Sequence, residues 1–198
     1  MAQAKAQSKT KSAPAQKVWQ EVSVSVPIAE GVTVSYENSM FKVTGPKGEV
    51  SRKLRFPRIE ISIQGSDVVI STKRFSKKLK KVMHTYRAHV TNLMTGVSEG
   101  FEYKLKVVYA KFPMTVELKG NELNVKNLLG EKVPRQVIIP ETVKVEVKGE
   151  DITVTGIDKE ECGKVAALIE QSTRITHLDR RVVQDGIYIT SKPHKEYV

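Results

Sequence analysis

From Val18 onward, apolar and polar positions alternate along the chain. Val22, Val24 and Val26 alternate with polar residues up to Pro27, and Val32 and Val34 open a second run. Ile59, Ile61 and Ile63 alternate again before Gly65-Ser66-Asp67 leads into Val68-Val69-Ile70. A period of two puts apolar side chains on one face of a strand, so these runs predict half-buried antiparallel hairpins. The period then changes. Phe75, Leu79, Val82, Met83, Tyr86, Val90, Leu93, Met94 and Val97 are spaced three and four apart. That is one stripe of an amphipathic helix, with Gly96 or Gly100 as its stop. A strand carrying Tyr103, Leu105 and Val107 follows.

The same order of elements then recurs. Val32-Thr33-Val34 returns as Met114-Thr115-Val116, Gly48-Glu49 as Gly130-Glu131, and Phe56-Pro57 as Ile139-Pro140. Ile59, Ile61 and Ile63 return as Val143, Val145 and Val147. Gly65-x-Asp67-Val-Val-Ile-Ser returns as Gly149-x-Asp151-Ile-Thr-Val-Thr, and Gly100-Phe-Glu-Tyr103 as Gly186-Ile-Tyr-Ile189. The offset drifts slowly, as small loop insertions would make it. The chain therefore reads as a duplicated module. Residues 18–99 form a first repeat and residues 100–190 a second. Each is expected to be an antiparallel sheet with one packed helix, so the class is α+β. A second helix is expected near residues 159–173. Asp158-x-x-Glu161 is its capping box, and Val165, Leu168 and Ile169 its apolar stripe. Residues 1–17 carry only Met and Ala as apolar residues and are expected to be a disordered basic tail. Residues 191–198 are read as a C-terminal basic tail.

Charge changes this picture. The chain of 198 residues has a net charge of +11. Four lysines in residues 1–20 and seven basic residues in 73–89, with no acid in either stretch, account for the whole excess. A local excess of this kind is the footprint expected for a polyanionic partner, because lysine and arginine on phosphates release condensed counterions. The predicted first helix would carry Lys77, Lys78, Lys80 and Lys81 opposite its apolar stripe, whereas the second has a solvent face of mixed sign. A copied scaffold whose surfaces diverge in this way can take two different partners.

Other chemistry is sparse. The four histidines, His84, His89, His177 and His194, come with no Cys or carboxylate cluster at metal-ligand spacing. No phosphate-cradling glycine loop or nucleophile motif occurs. No cofactor, metal or small-molecule substrate is therefore expected. The single cysteine, Cys162, allows no intrachain disulfide, and a reducing, cytosolic setting is the default. Cys162 lies at the start of the second helix, where a thiolate could be stabilised, and this is the only motive for an enzymatic reading. With no base identifiable nearby, it is read as a small core or boundary residue. No apolar run is long enough to span a bilayer, and no membrane partner is expected.

The C-terminal segment differs from a plain core pattern. Arg174, His177, Arg180 and Arg181 fall between the second helix and a turn, and Gln184, Tyr188, Lys192, His194 and Lys195 follow. Arginines on loops suit phosphate contact and base stacking, and the mixture suits RNA. A solvated turn with Arg–Asp pairs to Asp179 and Asp185 accounts for it equally well.

Residues 121–189 resemble the family of the sixth universal protein of the large ribosomal subunit, in its archaeal and eukaryotic branch. The resemblance rests on Asn127-Leu-Leu-Gly130-Glu131, Pro134-Arg135, Gly149-x-Asp151-Ile152-x-Val154-x-Gly156 and Gln184-Asp185-Gly186-Ile187-Tyr188-Ile189. The family's duplicated architecture extends it over the chain beyond the tail. Leu178 stands where a basic residue is common and Val183 where a Phe is common, so one phosphate contact and one aromatic packing contact are open. The resemblance implies a structural protein, not an enzyme, in the cytoplasmic ribosome. It implies binding to large-subunit rRNA near the sarcin–ricin loop at the stalk base, mainly through the second repeat. Neighbouring ribosomal proteins at the stalk base and transiently docking translational GTPases would be its other partners. A non-ribosomal RNA- or DNA-binding architectural protein is the alternative reading.

Overall fold

The computed structural model describes residues 22–73, 76–179, 181–193 and 195–196. The first half folds as β1 (Val22–Pro27), β2 (Thr33–Glu37), β3 (Met40–Gly45), β4 (Gly48–Lys53), β5 (Glu60–Gln64), β6 (Asp67–Thr72) and α1 (Lys77–Ser98). The second half continues as β7 (Phe101–Val108), β8 (Thr115–Lys119), β9 (Glu122–Lys126), a 3-10 turn at Leu128–Gly130 and β10 (Arg135–Ile138). It ends with β11 (Val143–Lys148), β12 (Asp151–Gly156), α2 (Lys159–Ser172), β13 (Gly186–Lys192) and β14 (Lys195–Glu196). Among the described residues, all the strand pairings are antiparallel. The predicted hairpin across Gly65-Ser66 is formed by β5 and β6, with Gln64 opposite Asp67. Both modules are α+β, as expected.

Among the described residues, each half contains two sheets and an α-helix. In the first, the sheets run in the orders β1-β6-β5 and β2-β3-β4; in the second, β11-β12-β7-β13-β14 and β10-β9-β8. Phe41 and Val43 from β3, Val68 and Ile70 from β6, and Val90, Leu93, Met94 and Val97 from α1 meet in the first core. Leu105 and Val107, Leu123 and Val125, Ile152 and Val154, and the buried stripe of α2 meet in the second. Each such buried side chain removes enough apolar area from water to favour folding by about 1.5–3 kcal/mol.

Several details depart from the sequence reading. Gly96 does not stop α1; it lies buried within the helix. Gly100, at φ +77°, closes the end, where the amides of Glu99 and Gly100 both donate to the Thr95 carbonyl. Phe75 and the whole of residues 1–17 fall outside the described residues. The α2 stripe is Cys162, Val165, Ala166 and Ile169, while Leu168 points to solvent. Those four are spaced three, four and seven apart, which fits one helical face better than a stripe through Leu168. The capping box is half made. Asp158 accepts from the Glu160 amide at 2.8 Å, but Glu161 instead accepts from Thr142 Oγ1 at 2.5 Å.

The repeat also aligns differently at its ends. β6 and β12 correspond, and the residues opposite them are Val22, Val24 and Val26 in one module and Phe101, Tyr103 and Leu105 in the other. The counterpart of β7 is therefore β1. β13 is an added strand on the far side of β7, pairing Tyr188 with Lys106. It runs through Lys192 and pairs with β14, across the boundary at residue 190 expected for the second repeat.

Where the modules meet, α1 passes very close to the chain entering α2. A Cβ on Gly96 would lie 2.1 Å from the Ile157 carbonyl oxygen, so only glycine permits this approach. Ile157 packs its side chain against the first core. Arg52 Nη1 reaches Glu160 Oε1 at 2.6 Å, His89 Nδ1 lies 3.4 Å from the same oxygen, and Lys159 Nζ donates to Asn92 Oδ1 at 3.3 Å. Burial and the neighbouring Arg52 guanidinium hold the His89 pKa below its ordinary value.

Candidate nucleic-acid interface

Two surfaces hold the residues that the sequence marked. The first is on α1. Lys77, Lys78, Lys80 and Lys81 are all exposed, and the buried face of the helix is made by Leu79, Met83, Val90, Leu93, Met94 and Val97. Four lysines within five residues span more than one helical face, so they diverge. Lys77, Lys80 and Lys81 line a shallow groove with His84, Ala88, His89 and, at its far end, Glu160. Lys78 is not part of that lining. His84 joins the groove because it sits three and four residues beyond Lys81 and Lys80. The sequence reading weighed it only as a metal ligand, although its helical spacing from the lysines was readable.

The second surface is the segment between α2 and β13. Arg174 and Tyr188 line one cleft of about 310 Å³ with Gln171, Thr173, Asp185 and Gly186. His177, Arg181 and Gln184 are exposed on the same segment but do not line that cleft. Arg180 and His194 lie outside the described residues. Lys192 ends β13 and Lys195 stands opposite it in β14. The α1 lysines do not line this cleft, whose one cation among the described residues, Arg174, stands with Glu170 and Asp185.

The segment is braced from beneath. Thr173 is buried; its hydroxyl accepts from the Ile187 amide at 2.9 Å and donates to the Glu170 carbonyl at 3.0 Å, tying the end of α2 to β13. Asp185 is also buried and accepts from the Ala110 amide at 3.0 Å. It therefore orients the loop backbone between β7 and β8. Asp179 accepts from Arg181 at both the backbone amide (3.0 Å) and Nη2 (2.9 Å). That hydrogen bonding lowers the Asp179 pKa and raises that of Arg181.

Arg135 is the brace that the sequence reading did not assign a role. Its Nη1 donates to the carbonyls of Ser172 (2.7 Å) and Arg174 (3.1 Å), at the end of α2 where backbone oxygens lack helical partners. Its Nε and Nη2 grip Glu131 at 2.9 and 2.6 Å. Glu131 is delivered by the turn at Asn127-Leu128-Leu129-Gly130. There Asn127 and Leu129 adopt φ of +62° and +50°, and Asn127 Nδ2 donates to the Pro113 carbonyl. The motif that carried the resemblance is thus a scaffold for the segment that follows α2. Similarly, Gly156 leaves room for Cys162, whose Sγ would lie 2.6 Å from a Cβ there.

A prediction follows for Arg135→Ala. It leaves two carbonyls without their charged donor and should destabilise the chain by about 1–3 kcal/mol. The Arg135 hydrogen bond lowers the Glu131 pKa. A depressed carboxylate pKa contributes stability above its unfolded value of about 4.3, which is lost as pH falls through the folded value. Thermal melts of Glu131→Gln should therefore fall short of the native chain at neutral pH, and the gap should close in acid. A gap independent of pH would show that the carboxylate charge is not what Arg135 requires.

Cys162 is fully buried, and burial with the nearby Asp158 and Glu161 carboxylates pushes its thiol up to about 11. That removes the motive for a nucleophile. Among the described residues no group of three His, Cys, Asp or Glu is placed to hold a metal ion, and no helix is long and apolar enough to cross a membrane.

Comparison with known proteins adds to this geometry. The family model for ribosomal protein L6 matches residues 28–100 and again residues 112–186. The chain is 46% identical over 180 residues to the large ribosomal subunit protein uL6 of Archaeoglobus fulgidus, covering 89% of this chain and 92% of that protein. It is 45% identical over 172 residues to the uL6 protein of Methanosarcina mazei, covering 87% and 98%. It is 44% identical over 168 residues to that of Methanocella arvoryzae, covering 84% and 95%.

Proposed function

This chain belongs to the ribosomal protein L6 family, and from that premise we propose where and how it works: on large-subunit rRNA near the sarcin–ricin loop and the stalk base, flanking the docking site of translational GTPases. It is a structural protein of the large ribosomal subunit and not an enzyme. Its membership sets aside the non-ribosomal architectural reading. The observation that carries RNA binding is the local basic excess on the exposed face of α1, which the fold does not need, beside an exposed C-terminal segment that adds arginine and tyrosine side chains. The α1 lysines stand clear of the buried stripe, and the segment from Arg174 to Tyr188 is held out by Arg135, Thr173 and Asp185.

The two surfaces differ in what they can read. The lysine face offers point charges to phosphates and carries no base specificity. The C-terminal segment offers guanidinium planes, a phenol ring and backbone groups on a braced frame, which suit splayed bases. Chemical footprinting of large-subunit rRNA with and without the chain tests the location. Protection confined to the sarcin–ricin region and stalk base supports it, and protection elsewhere overturns it.

Arg181→Ala separates recognition from charge. If Arg181 reads a base, cognate rRNA affinity should drop roughly ten- to a hundredfold, with little change for an unrelated RNA of equal length. Equal losses on both RNAs would make it a phosphate contact only.

A further inference from the structure

The helix α1 carries four lysines, one arginine and two histidines along its 22 residues, and not one carboxylate. An exposed helix face ordinarily balances its cations with acids three or four residues away, as α2 does in setting Glu160 four residues before Lys164. At about 3.6 residues per turn, Lys77, Lys81, His84 and Ala88 fall in one row on the side of α1 away from Leu79, Val90 and Val97 of the buried stripe. His84 is exposed within that row and lines the groove with Lys77, Lys80 and Lys81.

The two histidines of α1 stand in opposite surroundings. His89 is half-buried, and its Nδ1 lies 3.4 Å from Glu160 Oε1, an oxygen that also accepts from Arg52 at 2.6 Å. It faces the second module. His84 is exposed, and among the described residues neither it nor Lys77, Lys80 or Lys81 forms an ion pair with a carboxylate. The start of the chain offers this row no countercharge either, since residues 1–20 add four lysines and no acid. Among the described residues Glu160 is the one carboxylate that lines the groove, and it stands at the other end from Lys77. The countercharge for Lys77, Lys80, Lys81 and His84 therefore comes from a partner.

We propose that His84 is a phosphate-binding residue, the last contact of one run of RNA backbone laid along α1 from Lys77 through Lys80 and Lys81. An imidazole N–H donates to a phosphate oxygen as an ammonium does. Beyond His84 the lining changes to Thr85, Ala88 and Asn92 and ends on Glu160, whose charge turns a further phosphate away. No Phe, Tyr or Trp lines the groove among the described residues, so it lacks the aromatic platform on which bases stack. A contact to the backbone carries no sequence information but fixes position. His84 thus adds affinity for any RNA and sets where the strand leaves the helix, whereas His89 serves the junction between the modules.

This inference rests on the reading of α1 as an rRNA-facing surface, and its test distinguishes the two. Filter binding of the full chain is measured on large-subunit rRNA and on an unrelated RNA of equal length, with thermal melts of each variant. His84→Ala should weaken binding to both RNAs roughly tenfold and leave the melting temperature unchanged. His84→Lys should restore the affinity and, relative to the alanine variant, steepen the slope of log affinity against log salt by about 0.9, the contribution of one phosphate. If His84→Ala binds like the native chain while glutamates at Lys77, Lys80 and Lys81 abolish binding, the inference falls and the reading of α1 stands. If neither variant loses affinity, both fall. A loss that lysine does not restore, or one confined to the cognate RNA, overturns the phosphate contact in favour of base stacking. A lower melting temperature for both His84 variants overturns it in favour of a role in the fold.

Discussion

Replacing Gly96 with alanine should lower the stability of this chain by about 3 kcal/mol, although the same change at an ordinary helical glycine gains up to about 1 kcal/mol from propensity. The sign is decided by what the new methyl meets. It would lie 2.1 Å from the Ile157 carbonyl oxygen and 3.0 Å from Phe101 Cε2. The first neighbour is backbone and cannot rotate away. Relief requires α1 to withdraw from the strand-to-helix connection, and that connection is held on both sides. Ile157 is packed into the first core, Lys159 is bonded to Asn92, and Glu160 accepts from Arg52. Separating the modules therefore breaks several contacts at once. For a chain of this length the expected fall in melting temperature is about 6–12 °C. Thermal melts of Gly96→Ala check it; an unchanged or higher melting temperature would show that α1 slides freely past Ile157. RNA affinity should fall too, because two surfaces held on one rigid frame bind with an effective concentration that a loosened frame loses.

The periodicities made most of this architecture readable. The valine alternation located β1, and the change of period located α1, because burial of one face dictates both patterns. Duplication was readable from ordered matches alone. What could not be read was anything set by contact between distant residues. Gly96 looked like a helix stop because a glycine late in a helical pattern usually is one; its role depends on Ile157, which lies far along the chain. The ends of the repeat were misaligned for a related reason. β7 and β13 both follow a helix, so sequence order matched them, whereas hydrogen bonding matches β7 with β1. In the candidate interface, residue types alone marked the α1 lysines and the segment after α2. The braces beneath them did not stand out, since Arg135 resembles any loop arginine until its three partners, Glu131, Ser172 and Arg174, come together.

Reversing the charge of Lys77, Lys78, Lys80 and Lys81 to glutamate should weaken rRNA binding about a thousandfold at physiological salt while the free chain melts no lower than before. Each lysine that neutralises a phosphate contributes about −0.9 to the slope of log affinity against log salt. Removing four such contacts should flatten that slope by about 4, and between 1 M and 0.15 M salt this amounts to about three decades of affinity. The effect on the fold should run the other way. These residues occupy the first turns of α1, whose N-terminal end has no acidic residue and no side-chain cap from Ser76. Positive charge opposes the helix dipole there, and negative charge favours it. All four side chains are exposed, and Leu79 and Met83 carry the buried stripe between and beyond them. Wild type thus holds its lysines against the preference of the helix, as expected where a partner rather than the fold requires them. Filter binding across a salt series, with thermal melts of the same variants, gives both quantities. A variant that binds rRNA normally would assign the lysines to solvation alone. A variant that unfolds would show that they serve the first module.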